Sequence, residues 1–390
     1  MIVRDFLQWV RNAPAPERAE ATGALARAYL YSDLSPDDRA AAEGAMLMLL
    51  DDPWPLVRRA LADALAASPS APPAVIYALA EDQAAIAAPV LALSPLFVDA
   101  DLVDAVATGS SAVQAAIANR AALPRSVAAA IAEVGSAEAC LVLLENRDAD
   151  IAPFSIDRIV ERYGHLAAIR EPLLARDDLA AATRQTLVSK LSETLAGFVV
   201  GREWLDVDNA LRIAREACEK VTVALAAETP DGEVRPLIRH LSESGQLTAG
   251  LILRALLSGN IVLFEEALAE LADMPVARVG GLINDGGFGV LRALFEKAGL
   301  PAVTYPAFKE AIEAMREGGL VYQPGDAARL KRRMIERVLT RCENEEFGEL
   351  APLVTMLHRF ATEAAREEAR LFCDELVAYD YGDERQPEAA

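Results

Sequence analysis

The strongest constraint on what this chain can fold into is a period. Between residues 51 and 195, four segments (55–67, 84–94, 112–120 and 137–147) each read as the first helix of a pair. Their starts lie roughly 25 to 30 residues apart, within the range of helical repeats. The second helices are expected to start near Pro72, Ala100, Pro124 and Ile156, and Pro or Asp marks several of these starts, as in Ser70-Ala71-Pro72-Pro73 and Leu123-Pro124-Arg125. Leu56, Val57, Ala60, Leu61, Ala64 and Leu65, followed by Val75, Ile76 and Leu79, recur at i, i+3 and i+4, the pattern of helices with a wide apolar face. A fifth pair is expected over 166–176 and 179–195. One such pair cannot bury its apolar face alone, whereas stacked neighbours bury a continuous core. The expectation is an all-α protein: a HEAT-like helical-repeat solenoid with a C-terminal helical domain.

Composition agrees with this pattern. Hydrophobic residues make up 53% of the chain but aromatics only 6%, so Ala, Leu and Val carry the apolar share. Ala and Leu are strong helix formers. Charge narrows the partners. Against 59 acidic side chains there are 38 basic ones, a net of −21. Phosphate contacts need a basic surface, so a general nucleic-acid binder is disfavoured, as is attachment to anionic lipid. No apolar run reaches the ~18 residues of a membrane span, and residues 1–6 do not begin as a signal peptide. Cys140, Cys218, Cys342 and Cys373 form no C-x-x-C pair. Buried reduced thiols and a cytoplasmic location are expected.

The domain reading follows from punctuation. Residues 1–50 form an N-terminal helical cap, with a helix over 2–12 stopped by Pro14 and Pro16. Helices over 17–31 and 36–50 follow, the latter opened by Ser35-Pro36-Asp37-Asp38. Residues 51–195 are the repeats. Asp51, Asp52, Asp82, Asp148, Asp177 and Asp178 at the pair junctions suit N-caps and turns rather than metal binding. Residues 196–316 continue as a helical domain with a Gly-rich corner. Gly197 and Gly201 break the pattern, 208–227 reads as one long helix, and five helices follow from about 248 to 315. Residues 317–379 hold two amphipathic helices, and 380–390 are an acidic, mobile tail.

Residues 253–301 carry a resemblance. Leu253-Arg254-Ala255-Leu256, Gly259-Asn260, Phe264-Glu265, Ala267-Leu268-Ala269 and Leu271 form one block. Val279, Asp285, Ala293-Leu294 and Lys297-Ala298-Gly299-Leu300-Pro301 continue it. The chain resembles the alphaproteobacterial family named domain of unknown function 2336 over about residues 40–300. The resemblance implies a helical, repeat-like protein with no established reaction. Asn260 stands where the family pattern carries an acidic residue.

Catalytic signatures are few. His165, His240 and His358 are the only histidines, no two are spaced i, i+4, and no G-x-S-x-G elbow occurs. No catalytic residue, metal site or cofactor is assigned. Asp206-Val207-Asp208-Asn209 reads as a helix N-cap rather than a calcium loop. The Gly-rich stretch 279–289 lacks phosphate-loop spacing. It reads as a helix–turn–helix corner needing positive φ and close packing. The functional alternative is a small ligand held at Asn284, Asp285, Gly286 and Gly287 by backbone N–H groups of the next helix.

The sharpest charge feature is a row spaced by four: Arg329, Arg333, Arg337 and Arg341, with Lys331 and Arg332 beside it. Such a row usually pairs with nearby acids. It also suits an anion or an acidic partner, because guanidinium groups bind carboxylates and phosphates bidentately. The repeats carry 11 basic and 19 acidic side chains over 51–195, so their surface should attract a protein partner with basic segments. The expected function is therefore a non-enzymatic helical-repeat scaffold or adaptor. The alternatives are a ligand-sensing regulatory module, or less favourably an enzyme built on helical repeats.

Overall fold

A computed structural model describes residues 8–10, 12–176, 178–317, 326–343 and 351–383. Side chains are described throughout these spans except at 231, 317, 326–330, 341–343, 351–352 and 375–383. The described residues form helices and connecting turns, with no strand. The chain divides into two compact units, residues 1–178 and 179–390.

In the first unit the helices are α1 (Ala15–Tyr31), α2 (Pro36–Leu49), α3 (Pro55–Leu65), α4 (Pro73–Ala80), α5 (Ala84–Leu93) and α6 (Asp99–Thr108). They continue with α7 (Ser111–Ala118), α8 (Arg125–Val134), α9 (Ala137–Glu145), α10 (Pro153–Tyr163) and α11 (Ala167–Leu174). They stack in two rows. The odd-numbered helices from α1 to α11 each pack on the next odd-numbered one. In the second row α6 packs on α8, α8 on α10, and α2 touches α4. Proline sets the starts: Pro36, Pro55, Pro73 and Pro153 occupy the first helical position, where a missing N–H costs nothing. The Ser35 hydroxyl accepts the Asp38 N–H at 3.2 Å, and Asp101 accepts the Val98 N–H at 3.1 Å. Of the i, i+3 and i+4 positions read from the sequence, Val57, Leu61, Leu65, Val75, Ile76 and Leu79 are fully buried, Ala60 and Ala64 are half-buried, and Leu56 is exposed, so the buried face is narrower than the apolar pattern.

Arginine and asparagine stitch each pair to its neighbour. Arg18 holds Asp52 at 2.9 Å, and Arg58 holds Asp82 while donating to the Asp52 carbonyl at 2.6 Å. Arg120 donates to the carbonyls of Leu91 and Ser94, and Asn146 to those of Ala118 and Arg120. Arg162 takes the carbonyls of Ala132 and Gly135. Such carbonyls lack helical partners at a helix end, so these donors satisfy groups that burial would otherwise penalise. The junction aspartates Asp52, Asp82 and Asp178 are thus paired with arginine; Asp177 lies outside the described residues.

The second unit opens with a helical hairpin, α12 (Ala181–Gly201) and α13 (Val207–Glu228). Residues 179–195, read from the sequence as half of a fifth pair, supply most of α12. Gly197 does not interrupt it, since one helical glycine costs only about 1 kcal/mol relative to Ala and Ala196 beside it is buried. Then follow α14 (Asp231–Glu243), α15 (Ala249–Leu257), α16 (Ile261–Ala272), α17 (Val276–Asp285), α18 (Phe288–Lys297), α19 (Tyr305–Glu317), α20 (Asp326–Glu343) and α21 (Ala351–Asp383). Helix α15 is the axis of this core. Every residue from Leu251 to Leu257 is buried, and α13, α16, α19 and α20 pack around it. Helix α21 runs past Tyr379 to Asp383, whereas a mobile tail was expected from 380. No proline or glycine stands between Pro352 and Gly382 to stop it. Residues 2–7 and 11 of the expected first helix and 384–390 of the tail lie outside the described residues.

Candidate functional site

Four surfaces of the second unit carry chemistry. The first is the basic row on α20. Lys331 lies 2.9 Å from Glu367, and Arg332 lies 2.7 Å from Glu336 and 2.9 Å from Glu368. The Lys331 ammonium holds the Glu367 carboxyl below its ordinary range. Arg333 is exposed and Arg337 half-buried, while the side chains of Arg329 and Arg341 lie outside the described residues. Ile335 and Val338 on the other face are buried in the core.

The second is the Gly-rich corner. Asn284 and Asp285 are exposed at the end of α17. Arg316 donates to the carbonyls of Ile283 and Gly286, closing the corner from α19. Close packing is present: a Cβ on Gly286 would stand 2.1 Å from the Leu282 carbonyl oxygen. Positive φ is not, because Gly286 and Gly287 have φ of −71° and −73°. The corner needs glycine for space, not for backbone handedness.

The third surface is a cleft of about 240 Å³ between α12, α13 and the turn leading into α15. It escaped the sequence reading. Gln246 Oε1 accepts from Gln185 Nε2 and from Ser189 Oγ, each at 3.1 Å. Cys218 Sγ lies 3.3 Å from Gln185 Nε2. Thr248 donates to Glu219 at 2.9 Å. Burial pushes the Glu219 carboxyl above its ordinary range, against the pull of Thr248 and Arg254. Gln185 is 1% exposed, and its Oε1 has no hydrogen-bond partner among the described residues. The cleft thus holds a spare acceptor and a buried carboxyl. Behind it, Arg254 of the Leu253-Arg254-Ala255-Leu256 block bonds Glu363 at 2.5 Å and stacks on Phe360 at 4.1 Å. Arg359 pairs with Glu216. Asn260 caps α16, accepting the Leu263 N–H at 3.0 Å.

The fourth surface is the distal half of the α12–α13 hairpin. Its turn is tight, with Glu203 at φ 57° and the Trp204 N–H on the Val199 carbonyl at 3.2 Å. Asp206 caps α13 through the Asn209 N–H, as the sequence indicates. The side-chain distribution is inverted. Between 195 and 213 only Ala196 and Ala210 are buried, while Leu195, Phe198, Trp204, Val207, Leu211 and Ile213 are 45–66% exposed. Phe198 and Trp204 meet edge to face at 5.9 Å.

The thiols divide: Cys140 is buried and its pKa pushed up to about 11 by burial, Cys218 is half-buried, and Cys373 is exposed rather than buried. No metal-binding cluster of His, Cys, Asp or Glu occurs among the described residues. No described helix is long and apolar enough to cross a membrane.

Fold and surfaces together define an all-helical protein, one unit a stack of helix pairs and the other a helical domain bearing an apolar hairpin. The chain belongs to the family described as uncharacterised protein conserved in bacteria, DUF2336, whose model matches residues 86–347, more than half of it. The match begins at 86 rather than near 40, continues past 300, where the sequence resemblance stopped, and takes in α20. No curated protein and no solved structure matches the chain.

Proposed function

We propose that the protein is a non-enzymatic adaptor whose helix-pair unit binds basic segments of another protein. One observation carries this reading. The odd-numbered row leaves shallow grooves floored largely by alanine, with acids among their edge residues. One lies between α1 and α3, with Ala19, Gly23, Ala60 and Ala64 on its floor, Glu20 and Asp63 at its edge and Arg27 and Tyr31 beside them. Another lies between α7 and α9, with Ala112, Ala115 and Ala116 beside Glu145. A floor of methyl groups accepts an extended or helical segment with little side-chain selectivity, and the acidic edge steers basic chains to it. The test compares the wild type with a Glu20→Lys, Asp63→Lys, Glu145→Lys variant on an array of basic peptides at low and high salt. Binding that falls with salt and falls again in the variant supports the adaptor. Binding indifferent to both overturns it.

A second reading, a ligand-sensing module, draws on the cleft at Gln185. Its spare acceptor and the Glu219 carboxyl suit a small molecule rich in N–H donors. A metabolite screen by thermal shift tests it, because a ligand bound only by the folded chain raises Tm. The Arg333 face of α20 remains the proposed site for an acidic partner.

A further inference from the structure

We propose that the distal half of the α12–α13 hairpin is a self-association surface, and that two copies of the chain pair through it as a four-helix bundle. The first argument is the inverted burial. In a solvated two-helix arm the large apolar residues belong in the seam and the small or polar ones outside. Here the seam is closed by Ala196 and Ala210, and the large side chains face outward. Alanine lets the two helices approach closely but leaves no core of its own. A core forms only when a further layer covers the outside.

The second argument is spacing. On α12, Val188, Leu191, Leu195 and Phe198 recur at intervals of three, four and three. On α13, Val207 and Leu211 stand one turn apart and about half exposed, whereas Ala214 and Cys218 further along line the cleft against α12 and do not extend this face. The α12 run has heptad spacing, the pattern by which helices pack side by side in bundles, and the α13 pair adds one apolar turn beside it. These apolar faces, met by the same faces of a second copy, complete a four-helix core with two-fold symmetry. Six large apolar side chains exposed together by 45–66% form the kind of cluster around which an interface is built.

The third argument is charge, which selects a second copy over other occupants. The chain carries −21, and copies meeting through most of its surface would repel. From 190 to 216 the balance is four basic residues (Lys190, Arg202, Arg212, Arg215) against five acidic (Glu193, Glu203, Asp206, Asp208, Glu216). A two-fold contact needs both signs within one patch, since each charge meets a residue of that same patch. This stretch provides both. Without a basic excess it offers little to an anionic membrane.

Analytical ultracentrifugation of the full chain over a hundredfold range of concentration tests the proposal. The expected result is a concentration-dependent dimer that a Leu195→Glu, Leu211→Glu variant dissociates, weakening association at least a hundredfold while leaving helical circular dichroism unchanged. Both positions are about half exposed, so the substitutions leave the folded core alone. If that variant loses helicity, Leu195→Gln carries the same readout. A wild type that stays monomeric overturns the proposal, as does a dimer indifferent to these substitutions. A monomer that floats with neutral phosphatidylcholine vesicles through Leu195 and Leu211 overturns it in favour of a membrane. The proposal stands apart from the adaptor reading, which concerns the other unit.

Discussion

Gly286 shows how much a single missing methyl group can decide. Its φ is ordinary, so any residue could adopt the backbone, but a Cβ would meet the Leu282 carbonyl oxygen at 2.1 Å. Relief would require the end of α17 to move, disturbing the two carbonyls held by Arg316. Gly286→Ala should therefore cost about 1–3 kcal/mol. Gly287, one residue on, has open space around its Cβ position, so Gly287→Ala should be neutral within about 0.5 kcal/mol. Paired denaturant titrations check both, and equal effects would disprove the steric account. The sequence announced a glycine-dependent corner but not which dependence, because close approach of a carbonyl four residues back is invisible without the helix end that makes it.

At the scale of elements, most helix limits were legible and the long-range ties were not. Ser35-Pro36 and the prolines at 55, 73 and 153 punctuate the chain through local chemistry, and local chemistry can be read from neighbours. Arg254 is different. The sequence shows it inside a strongly apolar helix, but its partner Glu363 is 109 residues away on α21, with Phe360 one turn before. Arg254→Ala would leave Glu363 short of its cation and α15 with a void. Arg254 is buried but the Glu363 side chain is about a third exposed, so water can take over part of the lost pairing and the cost should be about 1–3 kcal/mol. The same change should speed hydrogen exchange along 353–364 while leaving 55–145 unaffected. Exchange unchanged in 353–364 would show that α21 docks without this contact. The cleft was missed for the same reason: Gln185 and Gln246 are 61 residues apart, and neither has a motif around it. Of the apolar hairpin only α13 was legible as one long helix; α12 reads from the sequence as half of a repeat pair ended before Gly197, and the outward orientation of the large residues depends on which face the alanines take.

Across the whole molecule, two compact units imply two unfolding events with different responses to acid. In the first unit arginine holds Asp82 below the ordinary carboxyl range. Asp52 is also lowered: burial acts to raise it, but Arg18 and the Trp54 N–H outweigh that. A lowered folded pKa contributes stability above the unfolded pKa and loses it as pH falls through the folded value. In the second unit Glu367 and Asp206 act in the same sense, but burial raises Glu219 and Glu265, which gain stability as pH falls through their raised values. Calorimetry from neutral pH down to the carboxyl range should show the first unit's transition falling further than the second's. Asp82→Asn should reduce that difference, and Arg254→Ala should move only the second unit's transition. A single transition that shifts with both variants would contradict the division.

The fasteners between helix pairs have one more consequence. Arg120, Asn146 and Arg162 grip carbonyl oxygens of the preceding helix end, and every residue type supplies that oxygen. The joint is therefore indifferent to which side chains the receiving helix carries there. A duplicated pair spliced into the row would arrive with its own gripping residue and find atoms to hold. An architecture fastened in this way can lengthen by whole pairs without each new junction having to be invented.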